Sequence, residues 1–108
     1  MVVSRNEVWL ISLNPSVGSE IKKMRPCVII SPDEANKFLE TITIVLLTST
    51  WRNYPTRVPC KFNQKKGQLV IDQIRTVDKV RLRKKLGVID KQTAHNLFKK
   101  IEEYFKFE

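Results

Sequence analysis

The chain has 108 residues, 42% of them hydrophobic, and carries 20 Lys and Arg against 11 Asp and Glu, a formal net charge of +9. That length fits one domain over residues 1–108 with one modest core, and the apolar content argues against a disordered chain. The cation excess points to a polyanion or an acidic protein as partner. With no run long and apolar enough for a membrane helix, no lipidation motif and no leader-like start, a cytoplasmic protein is expected.

Residues 7–13 read as a first strand. Trp9, Ile11 and Leu13 fall on one face and Val8 and Leu10 on the other, so the strand is central or lies at an interface. Asn14-Pro15-Ser16 ends it with turn chemistry, and a charged loop over 16–24 leads to a second strand at 27–31. Ser31-Pro32-Asp33-Glu34 opens a helix of one or two turns, with Pro at the first helical position. A third strand covers 41–47, and the polar loop 48–56 carries Trp51, Arg52 and Tyr54. Residues 57–62 form a short strand that Pro59 restricts to an edge or bulge. A basic turn at 63–67, a strand at 68–72, a polar continuation over 73–79 and a last strand at 81–88 follow. Asp90 caps a final helix whose apolar stripe is Ala94, Leu97, Phe98, Ile101, Tyr104 and Phe105. About six short strands and one terminal helix predict a mainly β chain, a small antiparallel barrel with helices packed outside.

The junction Arg25-Pro26 opens the second strand. Proline fixes its own φ and keeps the preceding residue out of the helical region, so Arg25 is held extended at the root of a buried strand. A rigid root suits a guanidinium that handles phosphate; the plainer alternative is a surface ion pair with Glu20. Cys27 and Cys60 sit in apolar strands and read as reduced, buried fillers. With the single His95 they make no metal site, and no cofactor is expected. Trp51 and Tyr54, beside Arg52, form either a stacking surface for unpaired bases or a lid on the core. Arg75, Lys79, Arg81, Arg83, Lys84 and Lys85 suggest a cationic face for a phosphate backbone, with a solvated face as the alternative. The interspersed Asp72, Arg75 and Asp78 suggest an ion-pair scaffold, with Gln73 free to contact a base.

Glu7-Val8-Trp9, Asn14-Pro15, Gly18-Ser19-Glu20, Arg25-Pro26, Leu47-Thr48-Ser49 and the run from Asp72 to Lys79 stand in order over nearly the whole chain. Taken together they resemble the MazF/PemK (Kid) toxins of bacterial toxin–antitoxin pairs. The resemblance implies an SH3-like barrel, a homodimer, and a metal-independent endoribonuclease that cuts single-stranded RNA. It also implies an antitoxin whose disordered acidic tail covers the RNA site. The family's catalytic Arg and Thr fall on Arg25 and Thr48, and Glu20 matches a carboxylate that assists in some members. RNA-contact candidates are Ser19 and Lys22 in the first loop, Ser49, Trp51 and Arg52 after the third strand, and Gln73 and Arg75 later. Asn6 departs from the Gly that relatives often carry there, a change expected to affect only how the first strand begins.

Cleavage by a neighbouring 2′-OH needs a base for that hydroxyl, an acid for the leaving O5′ and donors for the charged phosphorane. His95 lies on the terminal helix beside the apolar stripe and reads as a bystander. Arginine, with a pKa above about 12, is a poor proton shuttle, so Arg25 is better suited to holding two phosphoryl oxygens; late proton donation to O5′ stays open. Glu20 serves either as the base or to orient Arg25. Thr48 offers a hydroxyl donor, or simply starts a turn at the strand end. Two rivals use other chemistry: a CcdB-like toxin that binds gyrase and cuts nothing, and a non-catalytic nucleic-acid-binding module.

Overall fold

Alternation along the strands decides how the sheet is buried. In the computed structural model, which describes residues 2–13 and 24–107, β1 (Glu7–Ser12) sends Val8 into one apolar cluster and Trp9 and Ile11 into another. β2 (Met24–Ile29) divides the same way, with Val28 in the first cluster and Cys27 and Ile29 in the second. Both faces of these strands are covered, as their unbroken apolar character predicts. The further elements are α1 (Asp33–Phe38), β3 (Thr41–Thr48), β4 (Arg57–Phe62), β5 (Lys65–Asp78), a 3-10 turn at Lys79–Arg81, β6 (Leu82–Val88) and α2 (Lys91–Tyr104).

The six strands form one antiparallel sheet in the order β4-β5-β3-β2-β1-β6. The sheet curls into a half-barrel. Among the described residues no ladder joins the edge strands β4 and β6. Instead the Phe62 ring of β4 lies against Gly87 of β6, where an added Cβ would stand 2.9 Å from Cζ. The expected barrel is therefore closed on this side by side-chain packing. Pro59 sits on the edge strand β4, where a missing ladder donor is tolerated.

Asp90 caps α2 by accepting the Thr93 N–H at 2.7 Å, and Leu97 is fully buried against the first cluster with Ala94, Phe98 and Ile101 beside it. Burying a side chain such as Leu97 contributes roughly 1.5–3 kcal/mol. The stripe ends one turn earlier than its spacing predicts: Tyr104 and Phe105 are largely exposed and pack edge-on against each other at 5.1 Å. Among the described residues no helix is long and apolar enough to cross a membrane.

Local chemistry moves several other boundaries. Arg25 and Pro26 lie inside β2, which begins at Met24. Pro32 is the N-cap of α1 and not its first helical residue. The β4–β5 turn is only Asn63 and Gln64, both with positive φ (49° and 65°), so Lys65–Gly67 already belong to β5. Two consecutive positive φ values give the twist that a two-residue hairpin requires. Asn6 also has a positive φ, 74°, a conformation that Asn tolerates and Gly adopts freely, and this accounts for the Gly of relatives. Residues 73–78 continue β5 as strand.

Candidate functional site

Arg25 and Thr48 come from strands that pair antiparallel. The β2–β3 register runs Ile29↔Ile44, Val28↔Val45, Cys27↔Leu46, so two residues further Arg25 falls opposite Thr48. Both side chains line the same two surface depressions. The first depression, about 390 Å³, also takes Arg57, Arg75, Gln73 and Thr50 into its wall. Three guanidinium groups thus share one concavity, and among the described residues no carboxylate lines it. The second, about 310 Å³, lies on the other side of the Arg25–Thr48 pair, toward the β4–β5 hairpin, and includes Ser49.

A break in register builds the first depression. Ile44 pairs with Arg75 while Leu46 pairs with Val70, so residues 71–74 of β5 stand opposite the single residue Val45. Ile71 turns inward, fully buried, and its N–H donates to the Thr56 carbonyl at 3.1 Å. Gln73 is thrown outward into the depression wall, and Arg75 follows where pairing resumes. Such bulges re-aim side chains and often stand beside functional sites. On the opposite side, Gly67 is required by close approach: a Cβ there would lie 2.7 Å from the Thr48 carbonyl oxygen.

The Thr48 hydroxyl oxygen accepts the Thr50 N–H at 3.1 Å. This is the turn-starting role that a strand-end Thr suggests, and it leaves the hydroxyl hydrogen to point at an incoming acceptor. Beyond it, a buried amide organises the loop. Gln68, 3% exposed, accepts from the Arg52 N–H at 2.9 Å and from Arg57 Nη1 at 3.1 Å, and donates from Nε2 to the Arg52 carbonyl at 3.0 Å. Arg57 Nη1 also reaches the Thr50 carbonyl at 3.2 Å, and its guanidinium lies 5.4 Å from the centre of the Tyr54 ring. Trp51 and Tyr54 are each 53% exposed, so neither is a lid on the core.

Arg25, Thr48, Gln73 and Arg75 are therefore brought together, with Ser49 at the second depression. Trp51 and Arg52 stand in the adjoining loop and line neither depression. Ser19, Glu20 and Lys22, and with them the alternative Arg25–Glu20 ion pair, lie outside the described residues. Sequence reasoning missed Arg57 and Gln68. Arg57 opens an edge strand with no local pattern to mark it; Gln68 is a polar residue beside a run of apolar ones, and that anomaly was the available signal.

The later basic segment is not one cationic face. The 3-10 turn interrupts its alternation, Lys79 donates to the Asn36 carbonyl, Arg81 Nη1 donates to the Ser12 carbonyl at 3.1 Å, and Lys85 pairs with Glu7 at 2.7 Å. The Asp72–Arg75–Asp78 ion-pair scaffold does not form among the described residues. Asp72 accepts from the Thr56 hydroxyl at 2.9 Å, and Asp78 caps the 3-10 turn by accepting the Val80 N–H at 2.9 Å.

Cys27 and Cys60 are free and buried. Burial pushes the Cys27 thiol up to about 12 despite the pull of Arg75 and Arg25, and pushes Cys60 up to about 11. Both stay protonated at neutral pH and serve as packing groups. His95 is exposed on α2, and it lines neither depression. Among the described residues no three His, Cys, Asp or Glu side chains gather where they could hold a metal ion.

Comparison with known proteins meets this geometry from outside. The family model of the PemK-like, MazF-like toxins of type II toxin–antitoxin systems matches residues 4–105. The chain belongs to that family. An endoribonuclease MazF from Staphylococcus epidermidis is 35% identical over 91 residues, covering 79% of this chain and 76% of the relative. A MazE–MazF crystal structure from Deinococcus radiodurans has a TM-score of 0.85 at 19% identity, covering 100% of this chain and 99% of that one. A mycobacterial endoribonuclease in complex with its cognate antitoxin gives a TM-score of 0.81 at 23% identity, covering 98% and 99% of the two chains. The two structures carry the fold; the family model and the curated relative carry membership of the MazF-like toxins.

Proposed function

We propose that this MazF-like toxin is a metal-independent endoribonuclease that cuts single-stranded RNA, with sequence preference, by attack of the 2′-OH on the adjacent phosphorus. The observation that carries the reading is the convergence of Arg25, Arg57 and Arg75 with Thr48 in one concavity that no described carboxylate lines. A phosphodiester seated there meets cations on more than one side. As the 2′-oxygen bonds to phosphorus, negative charge grows on the non-bridging oxygens. The Arg25 fork and the Thr48 hydroxyl donate to those oxygens and lower the barrier. The P–O5′ bond then breaks, the 5′-oxygen takes a proton, and the other fragment ends in a 2′,3′-cyclic phosphate. Glu20 takes the 2′-OH proton or orients Arg25, and late proton donation from Arg25 to O5′ completes the scheme. Gln73 reads a base edge, with Ser19, Lys22, Ser49 and Arg52 holding the backbone and Trp51 stacking.

The same cationic concavity suits an acidic, disordered antitoxin tail, so RNA and antitoxin compete for it, and affinity for each falls as salt rises. In this reading the toxin works as a cytoplasmic homodimer. The test is to incubate purified protein with a long RNA in excess EDTA. Discrete fragments with cyclic-phosphate ends support the proposal. Intact RNA under conditions in which the protein is folded overturns it and turns attention to a CcdB-like gyrase-binding role.

A further inference from the structure

Arg25 and Thr48 face two depressions, and the proposed phosphate chemistry occupies only the first. The second is built differently. Leu47, Phe62 and Leu86 supply apolar wall, Lys65 and Lys66 supply cationic side chains, and among the described residues no carboxylate lines it. Its key member is Phe62, the last residue of β4 before the two-residue turn. The ring is half-buried and seated against Gly87, whose φ of +156° and missing Cβ leave room for it; a Cβ there would approach ring atoms at 2.9 and 3.1 Å. One β-edge thus carries a glycine where the opposite edge needs room for an aromatic ring.

We infer that this second depression is a nucleobase subsite, in which Phe62 stacks on one of the two bases that flank the scissile phosphate. The inference rests on the RNA-cutting reading above and extends it. A phosphodiester held between Arg25 and Thr48 carries a nucleotide on either side of it, and one side opens onto this apolar wall. An unstacked base has two apolar faces and a polar edge. An aromatic ring matches the face, the Asn63 side chain beside it can donate to and accept from the edge, and Lys65 and Lys66 meet the next phosphate. RNA is favoured over an acidic peptide as occupant because the wall is continuous with the phosphate-holding pair and combines an aromatic ring with flanking cations.

The test begins by mapping the cut on a long RNA. Oligonucleotides spanning it are then made uncleavable with a 2′-deoxy group and given either an abasic site or 2-aminopurine at each flanking position in turn. Removing the base on one side should weaken binding to wild-type protein about tenfold. Phe62→Leu should lose a similar factor on intact RNA and almost nothing more on that abasic RNA. Melting curves accompany each variant. The variant-free measurement is the 2-aminopurine signal: stacking should quench it at one flanking position. Equal Phe62→Leu penalties on intact and abasic RNA, or no quenching at either position, would overturn the subsite. So would an effect of Phe62→Leu confined to an acidic peptide, which would assign the groove to the antitoxin. Failure of the parent reading looks different, because wild-type protein would then leave the long RNA uncut.

Discussion

Two groups of cations in this molecule are treated in opposite ways. Along the 3-10 turn and β6 they are satisfied: Lys85 pairs with Glu7, Arg81 donates to the Ser12 carbonyl, and Lys79 donates to the Asn36 carbonyl. From β2, β4 and β5, Arg25, Arg57 and Arg75 converge without a described carboxylate in the wall they share. Like charges brought together cost free energy, and in the proposed function an RNA phosphate offsets that cost. The first group is engaged within the fold; in the second, Arg57 is positioned by Gln68 and the Thr50 carbonyl, and in the proposed function the concavity takes an RNA phosphate.

The sharpest way to break this contrast is through the substrate. Replacing the single nucleotide 5′ of the cut by its 2′-deoxy form should stop cleavage while leaving binding largely intact, because the phosphate contacts remain and only the internal nucleophile is gone. The chimera should then act as a competitive inhibitor. Cutting of the deoxy oligonucleotide at the same bond and at a comparable rate would remove the 2′-OH from the mechanism. Next in size comes Thr48→Ala. Loss of one hydroxyl donor to the phosphorane should lower the single-turnover rate by roughly tenfold to a thousandfold, toward the range seen on removing one oxyanion donor. Loss of the Thr50 N–H bond should cost only about 0.5–1.5 kcal/mol of stability. A rate within twofold of wild type would reduce Thr48 to its turn role.

The satisfied side of the contrast predicts the reverse pattern. Glu7 is buried and accepts from the Ser4 N–H at 2.9 Å and the Trp9 indole N–H at 3.0 Å while pairing with Lys85. Burial raises its pKa, but the hydrogen bonds from Lys85, Ser4 and Trp9 outweigh it and leave the carboxyl below its ordinary value. Glu7→Ala strands two donors and should cost about 1–3 kcal/mol, with the cleavage rate per folded molecule unchanged. Because the folded pKa is lowered, the contribution is complete above the unfolded carboxylate value of about 4.3 and is lost as pH falls through the lower folded value. Denaturation midpoints of wild type and variant should therefore differ at neutral pH and converge in acid. A gap that does not change between these pH values would disprove the charge assignment.

What was legible in the chain follows the same division. Short-range patterns were readable: the two-faced apolar strand with Trp9 and Ile11, the Asp90 cap, and the stripe through Leu97 depend on neighbours within a few residues. The mounted Arg25 was readable because Pro26 acts on the residue directly before it. The rest depends on register. Nothing local to residues 70–75 announces that four of them stand opposite Val45, yet that bulge carries Gln73 and Arg75 into the site. Arg57 reads as surface until the sheet places it beside Arg75, and Gln68 reads as a strand residue until its amide is seen bonding Arg52 and Arg57. Tyr104 fits the helical stripe by spacing, but the half-barrel does not extend far enough to cover it. Fold was thus read from periodicity, and the site only in part, because its cations are contributed by distant strands.

The central claim is that cations without described carboxylate partners stabilise the phosphorane, and Arg25→Ala tests it most directly. The measurement is the single-turnover cleavage rate of the variant on one RNA oligonucleotide, with its melting curve and oligomeric state recorded on the same preparation. The guanidinium is exposed, so folding should survive its removal. The account predicts a wild-type-like melting curve with a rate lowered at least a hundredfold to a thousandfold, about 2.7–4 kcal/mol of barrier. A folded Arg25→Ala protein that cuts at a near-normal rate would contradict it.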